Sequence, residues 1–384
     1  MINYGRQSID KKDIQSVVKV LKSDYLTQGP VVKKFETELS TYFKSKFALA
    51  VSSGTSALNI SSKILKWKKN DIVFVSPITF LASSNCIEES GATPYFIDIN
   101  LEDYSINLNL LEKKLKEFKK RVKAVVVTDY AGHPADWIKI KRLKRKFKFK
   151  IINDNCHAMG ASMNGNFGYS SKYADITILS FHPVKAITTG EGGAILTNNK
   201  LLFEKAKNLR SHGVIRNKKL SKKFGSWYYE MIELGGNYRL SDLNASLGSS
   251  QLKKINKFIK KRNYIAKFYN NLFKDETKFQ IPKIRKNITH AFHLYPLLVN
   301  LKKIGKSKKE IFNQFKNYKI NLQVHYIPIN TQPYYKKKYG MNKNDFKNSL
   351  NFYKKEISMP IYFGLTKKQL SYISKICKKV FNLK

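Results

Sequence analysis

The stretch Ser180 to Ala194 reads SFHPVKAITTGEGGA and sets one lysine, Lys185, between an apolar run and a turn of threonines and glycines. The run before it, ADITILSF, has the composition of a buried strand. A lysine just beyond such a strand faces a cavity, where partial desolvation suits its amine to Schiff-base formation with a carbonyl. Asp154 closes a second apolar run, FKIIND. A buried carboxylate there can keep a ring nitrogen protonated. SSGTSAL, Ser52 to Leu58, supplies a strand end, a glycine turn and a helix start. The backbone at Gly54, Thr55 and Ser56 can therefore cradle a phosphate. Ser180 adds a hydroxyl on the lysine's own strand, and Phe80, in SPITFLAS, offers a flat face for stacking. Taken singly, these signals are ambiguous: Asp154 also reads as a turn aspartate, and Phe80 as a core side chain. Together they supply an amine, a carboxylate, a phosphate cradle and an aromatic face, which is what pyridoxal phosphate (PLP) requires.

Those groups are far apart in sequence, so the fold must gather them. FALAVSS, DIVFVS, TPYFIDI, VKAVVVTDY, FKIINDN, ADITILSF and GGAILTN read as strands. DIQSVVKVLKS, TSALNISSKIL, FLASSNCIEES and NLLEKKLKEFKKR read as the helices between them. This alternation predicts an α/β domain with a mainly parallel sheet, whose ligands sit beyond the carboxyl ends of the strands. After about residue 250 the pattern changes. A basic helix over Leu252 to Phe273, strands at HAFHLYPLLV and INLQVHYIPI, and helices at KKEIFNQFKN and LTKKQLSYISKICKKVF suggest a smaller α+β domain. The predicted division is an N-terminal arm and large PLP-binding domain over 1–250, and a small C-terminal domain over 251–384.

The 384 residues, 42% of them hydrophobic, are enough for two cores. No apolar run is long enough to span a bilayer, and MINYGRQSID lacks a secretory pattern. The three cysteines show neither metal nor disulfide spacing, so a reduced, cytoplasmic protein without a metal is expected. The net charge is +45, from 72 Lys plus Arg against 27 Asp plus Glu, which raises a nucleic-acid reading. The excess is spread over helix-period stretches along the whole chain, however, and reads as solvated surface. No specific nucleic-acid partner is expected, although such a field draws in anionic substrates.

A resemblance extends this reading. SFHPVKAITTGEGGA is similar to the cofactor-lysine segment of the sugar-nucleotide aminotransferases, a branch of the fold type I PLP-dependent transferases. NDNCHAMGA, SSGTSAL, RSHG and GGNYRLSDLNASLG resemble that family's other blocks. Within the family, NYGRQSI, SDYLTQGP, HAFHLYPLL and QVHYIPINTQPYY resemble the members that act in pseudaminic acid biosynthesis. Those members aminate C4 of a UDP-linked 4-keto-6-deoxy-N-acetylhexosamine. The resemblance implies that Lys185 carries the cofactor and shuttles protons, that Asp154 serves the pyridinium, and that His157 lies near the ring hydroxyl. It implies a glutamate donor, and a homodimer with shared active sites in which Asn237 reaches across to the partner's cofactor or substrate. It also implies that Tyr4, the segment Tyr25, Leu26, Thr27 and Gln28, and the segment Val324, His325, Tyr326 and Ile327 line the sugar-nucleotide site. The chain departs from the family pattern at Asn153, Asn155, Cys156, Ala186 and Asn330. Two alternatives stay open: an aminotransferase for another 3- or 4-keto nucleotide sugar, and a PLP-binding regulatory or nucleic-acid-binding protein.

Overall fold

The computed structural model describes residues 1–341 and 343–383. Seven strands form the central sheet: β1 (Phe47–Val51), β2 (Ile72–Val75), β3 (Thr93–Phe96), β4 (Val122–Thr128), β5 (Lys150–Asp154), β6 (Ile176–Ser180) and β7 (Gly193–Thr197). Their spatial order is β1-β7-β6-β5-β4-β2-β3. Strands β2 to β6 pair in parallel, and β7 runs antiparallel to both of its neighbours. The fold is thus the expected α/β type with a mostly parallel sheet.

The Val- and Ile-rich runs follow from burial on both faces. On β4, Val125 and Val127 join one apolar cluster, while Ala124 and Val126 join the other. That division is the strand's two-residue alternation expressed as two layers. Because the reversed β7 stands between them, β1 and β6 point the same way. The carboxyl ends of β1, β2, β4, β5 and β6 therefore share one edge, and the loops that follow them meet there.

A separate three-stranded antiparallel sheet is ordered β8 (Phe279–Gln280), β9 (Tyr295–Val299) and β10 (Glu356–Met359). Its core takes Leu297 and Ile357 from the strands, Phe315 and Ile373 from covering helices, and Ile2 from the chain start. The helix Ile255–Phe273 contributes to both cores: Phe258 and Ile259 to the first, Tyr269 and Phe273 to the second.

Three local expectations change. The helix expected over Leu252 to Phe273 begins at Ile255, because Leu252 closes a preceding helix, Asp242–Leu252. The chain breaks at Lys253 and Lys254, where the Lys254 ammonium is held by Asp10 and Asp13 at 2.9 and 2.5 Å. The strand expected at HAFHLYPLLV is shortened to Tyr295–Val299. The alternating INLQVHYIPI forms no strand. It makes two isolated bridges, Ile320 to Ile2 and Gln323 to Ser358, and then the backbone N–H of His325 turns to the Glu356 carboxylate at 3.0 Å. A side chain has taken the donor that a ladder would use. Among the described residues, no helix is long and apolar enough to cross a membrane.

Candidate active site

Each group at the shared sheet edge is placed by its own strand-to-loop junction. Asp154 is the last residue of β5 and is buried. Its Oδ2 accepts the Ser83 hydroxyl at 2.6 Å, and its Oδ1 accepts the Cys156 N–H at 3.2 Å. Ser83 comes from the helix Ala82–Glu89 and lies 3.1 Å from the Thr79 hydroxyl, itself 2.9 Å from that of Thr128. This hydroxyl chain fixes the carboxylate from below, since buried acceptors need donors. Nothing in the sequence marked Ser83 for that role.

Lys185 lies in the turn between β6 and β7, five residues beyond the strand end, with its N–H on the His182 carbonyl at 2.9 Å. Burial lowers the affinity of its amine for a proton, with Cys156 and Asp154 opposing. Cys156 and Ser180 close the pocket toward the helix Gly54–Ile64. A Cβ added at Gly54 would stand 3.0 Å from the Ser180 Cβ and 3.5 Å from the Cys156 sulfur. Ser53 caps this helix through the Ser56 N–H, and its first turn opens beside Ser180. A side chain there would push Ser180 aside by a few tenths of an ångström, so glycine suits the position.

His157, three residues past the end of β5, is buried and kept neutral by burial and the nearby Lys185 charge. Its Nδ1 receives the Ala131 N–H at 3.4 Å, so its Nε2 carries the proton and donates to the Tyr326 oxygen at 3.0 Å. The Tyr326 hydroxyl hydrogen is left free to donate. Phe80 stands 6.1 Å from the Tyr326 ring, and 54% exposure leaves its face uncovered. His325 packs against Tyr4 with ring centres 5.2 Å apart. Val324 is half-buried beside it, and Ile327 is exposed.

The remaining predicted residues lie elsewhere on this chain. Tyr25 and Leu26 are exposed, and Thr27 bridges Ser241. Gln28 lines an open hollow of about 1010 Å³ with Ser211, His212 and Arg239. Asn237 is exposed and bridges Ser211 beside that hollow. No hydrogen bond or ring contact among the described residues joins Tyr25, Leu26, Gln28 or Asn237 to Lys185.

The departures at positions 153 and 155 have a structural account. Asn153 and Asn155 donate to Oδ2 of the fully buried Asp129 at 3.0 and 2.9 Å, beside the Tyr169 hydroxyl at 2.8 Å. Oδ1 takes the Ala135 N–H and the Trp137 indole N–H. Asp129 in turn donates its own N–H to the Asp154 carbonyl at 3.1 Å, so this network supports the strand end that carries Asp154. Asp129→Ala is expected to destabilise the fold by on the order of 3–5 kcal/mol, because it strands several buried donors. An unchanged thermal melt would refute that support. Burial raises the Asp129 carboxyl to about 6, with Ala135, Tyr169, Asn153 and Asn155 opposing. An acid raised on folding contributes stability below its unfolded value that is lost as pH rises through about 6. Asp129→Asn should remove that slope.

The pocket suits PLP on its own chemistry. One Asp154 oxygen has only a 3.2 Å backbone partner and can accept an N–H from a ring. The Gly54 turn gives a helix N-terminus clear of side chains, the Lys185 amine is desolvated, and Phe80 presents a bare ring.

Comparison with known proteins agrees. The family model of the DegT/DnrJ/EryC1/StrS aminotransferases matches residues 7–378. A UDP-4-amino-4,6-dideoxy-N-acetyl-beta-L-altrosamine transaminase of Campylobacter jejuni is 38% identical, covering 97% of this chain and 96% of its own. The structure of Helicobacter pylori PseC, an aminotransferase involved in pseudaminic acid biosynthesis, superposes with a TM-score of 0.91 at 32% identity, covering 99% of both chains. The PLP form of Streptococcus pneumoniae Spr1654 superposes with a TM-score of 0.89 at 26% identity, covering 99% of this chain and 98% of its own. The chain belongs to the DegT/DnrJ/EryC1/StrS aminotransferase family and is a PLP-dependent sugar aminotransferase.

Proposed function

We propose that the protein transfers an amino group from glutamate to C4 of a UDP-linked 4-keto-6-deoxy-N-acetylhexosamine. The product is UDP-4-amino-4,6-dideoxy-N-acetyl-altrosamine, for pseudaminic acid biosynthesis. One observation carries the reading: Lys185, Asp154 and the Gly54 turn converge beside Tyr4, His325 and Tyr326. They do so in a chain matched almost end to end by a transaminase named for that altrosamine.

PLP, when bound, supplies an exchangeable aldehyde and an electron sink. The first turn at Gly54, Thr55 and Ser56, with Ser180, holds the phosphate. Asp154 keeps the ring nitrogen protonated by opposite charge. Phe80 would cover one ring face, and His157 would lie near the ring hydroxyl. The Lys185 amine, its proton affinity lowered by burial, would remove the proton from the donor's α-carbon and later deliver one to C4 of the sugar. Tyr4, Val324, His325, Tyr326 and Ile327 receive the sugar nucleotide. Asn237 and the segment Tyr25–Gln28 are exposed on this chain and serve a partner's pocket, which makes the working unit a homodimer.

The test is direct. The holoenzyme is incubated with glutamate and a panel of UDP-, GDP- and dTDP-linked keto sugars, and the amino sugar is identified by mass and NMR. The expected product carries nitrogen at C4 of the UDP-linked 6-deoxy-N-acetylhexosamine. A preference for another nucleotide or another carbon would replace this substrate with a different keto sugar.

A further inference from the structure

Strand β10 places Glu356 and Ser358 on one face, and Ile357 and Met359 on the other. The apolar pair joins the C-terminal core. The polar pair is fully buried and faces the segment that carries His325. Two donors are committed to the Glu356 carboxylate: the Ser358 hydroxyl at 2.5 Å and the His325 backbone N–H at 3.0 Å. Burial raises this carboxyl to about 7, with the Ser358 hydroxyl, Lys308 and the His325 N–H opposing, so it is ionised as pH rises above that value. In that state the Ser358 hydrogen is used. Its oxygen, 2.8 Å from His325 Nδ1, can only accept. The proton of the neutral imidazole therefore sits on Nδ1, and Nε2 carries a lone pair.

Nε2 lies on the opposite side of the ring from Ser358 and has no hydrogen-bond partner among the described residues. The same ring stands 5.2 Å from Tyr4 and 4.9 Å from Tyr326, on the side of the pocket that faces Lys185. The Tyr130 hydroxyl binds the His325 carbonyl and fixes the backbone as well. Ring and backbone are both held, and only Nε2 remains to meet a ligand.

We infer that Glu356 and Ser358 are positioning residues that make His325 Nε2 a hydrogen-bond acceptor for a hydroxyl or amide N–H of the sugar. An acceptor at this point suits a neutral donor and repels a diphosphate oxygen, which a protonated histidine would attract. The inference rests on the keto-sugar reading for its ligand and on the Glu356–Ser358–His325 geometry for its polarity.

Glu356→Gln tests the polarity by inverting it. The amide oxygen must stay on the His325 N–H, so the amide nitrogen donates to Ser358. The Ser358 hydrogen then turns to His325 Nδ1, and the ring proton moves to Nε2. Ring-nitrogen NMR of histidine-labelled holoenzyme without substrate, assigned by His325→Gln, should show Nδ1 protonated in the wild type and Nε2 protonated in Glu356→Gln. The amino-donor half-reaction should stay within about twofold, while the keto-sugar half-reaction falls about 10- to 100-fold with a raised KM. If Glu356→Gln does not fold, Ser358→Ala should show the same selective loss and Ser358→Thr should restore it. A wild-type proton on Nε2, or equal losses in both half-reactions, overturns the inference. A wild type that aminates none of the UDP-keto sugars defeats the functional reading instead, and the ring-nitrogen spectrum still decides the polarity.

Discussion

Lys185→Ala is expected to lower transamination by about 10⁴-fold or more, since in the proposed function one side chain both carries the cofactor and moves the protons. Borohydride treatment of the wild-type holoenzyme should leave a cofactor-sized mass on the peptide that contains Lys185, and none on that of the variant. Small exogenous amines should restore part of the lost rate, because they can move the proton without the tether. The expectation follows from position. Lys185 sits at the shared carboxyl edge of the sheet, and burial lowers the proton affinity of its amine. Among the described residues, burial also lowers the proton affinity of Lys308, but that lysine begins the helix Lys308–Asn317 and is not on the sheet edge. A variant that kept wild-type turnover, or an adduct mapped to another lysine, would end this assignment.

Asp154→Ala should retain PLP yet lose about 10²- to 10³-fold in both half-reactions, as expected when one preorganised electrostatic partner is removed. The proposed phosphate cradle, Gly54 at a helix start and Ser180 at the end of β6, lies on other elements and should stay intact, so cofactor content measured by mass should change little. Asp154→Asn separates shape from charge: it can still take the Ser83 hydroxyl but cannot hold a proton on the ring nitrogen by opposite charge. Loss in only one half-reaction would contradict the role, because the electron sink is needed in both. So would near-normal activity of Asp154→Asn.

The amino-acid sequence by itself determined most of the large sheet. Runs such as VKAVVVTDY and ADITILSF are strands because β-branched residues buried on both faces leave no other arrangement, and the intervening amphipathic stretches must cover them. It also marked the strand-end positions of Asp154, Ser180 and the Gly54 turn, since each lies at a local break in pattern.

What alternation could not reveal was competition for backbone donors. INLQVHYIPI has the two-residue rhythm of a strand, but the buried Glu356 carboxylate, over thirty residues away, captures the His325 N–H and ends the pairing with β10 after the single bridge of Gln323 to Ser358. Ser83 beneath Asp154, the Asp129 network beneath β5, and the Ser358 contact that fixes the His325 proton were invisible for the same reason. Hydrophobic pattern is a local property, readable along the chain. A buried polar group must find its partner wherever the packed chain brings one within about 3 Å, and only the tertiary structure decides where that is.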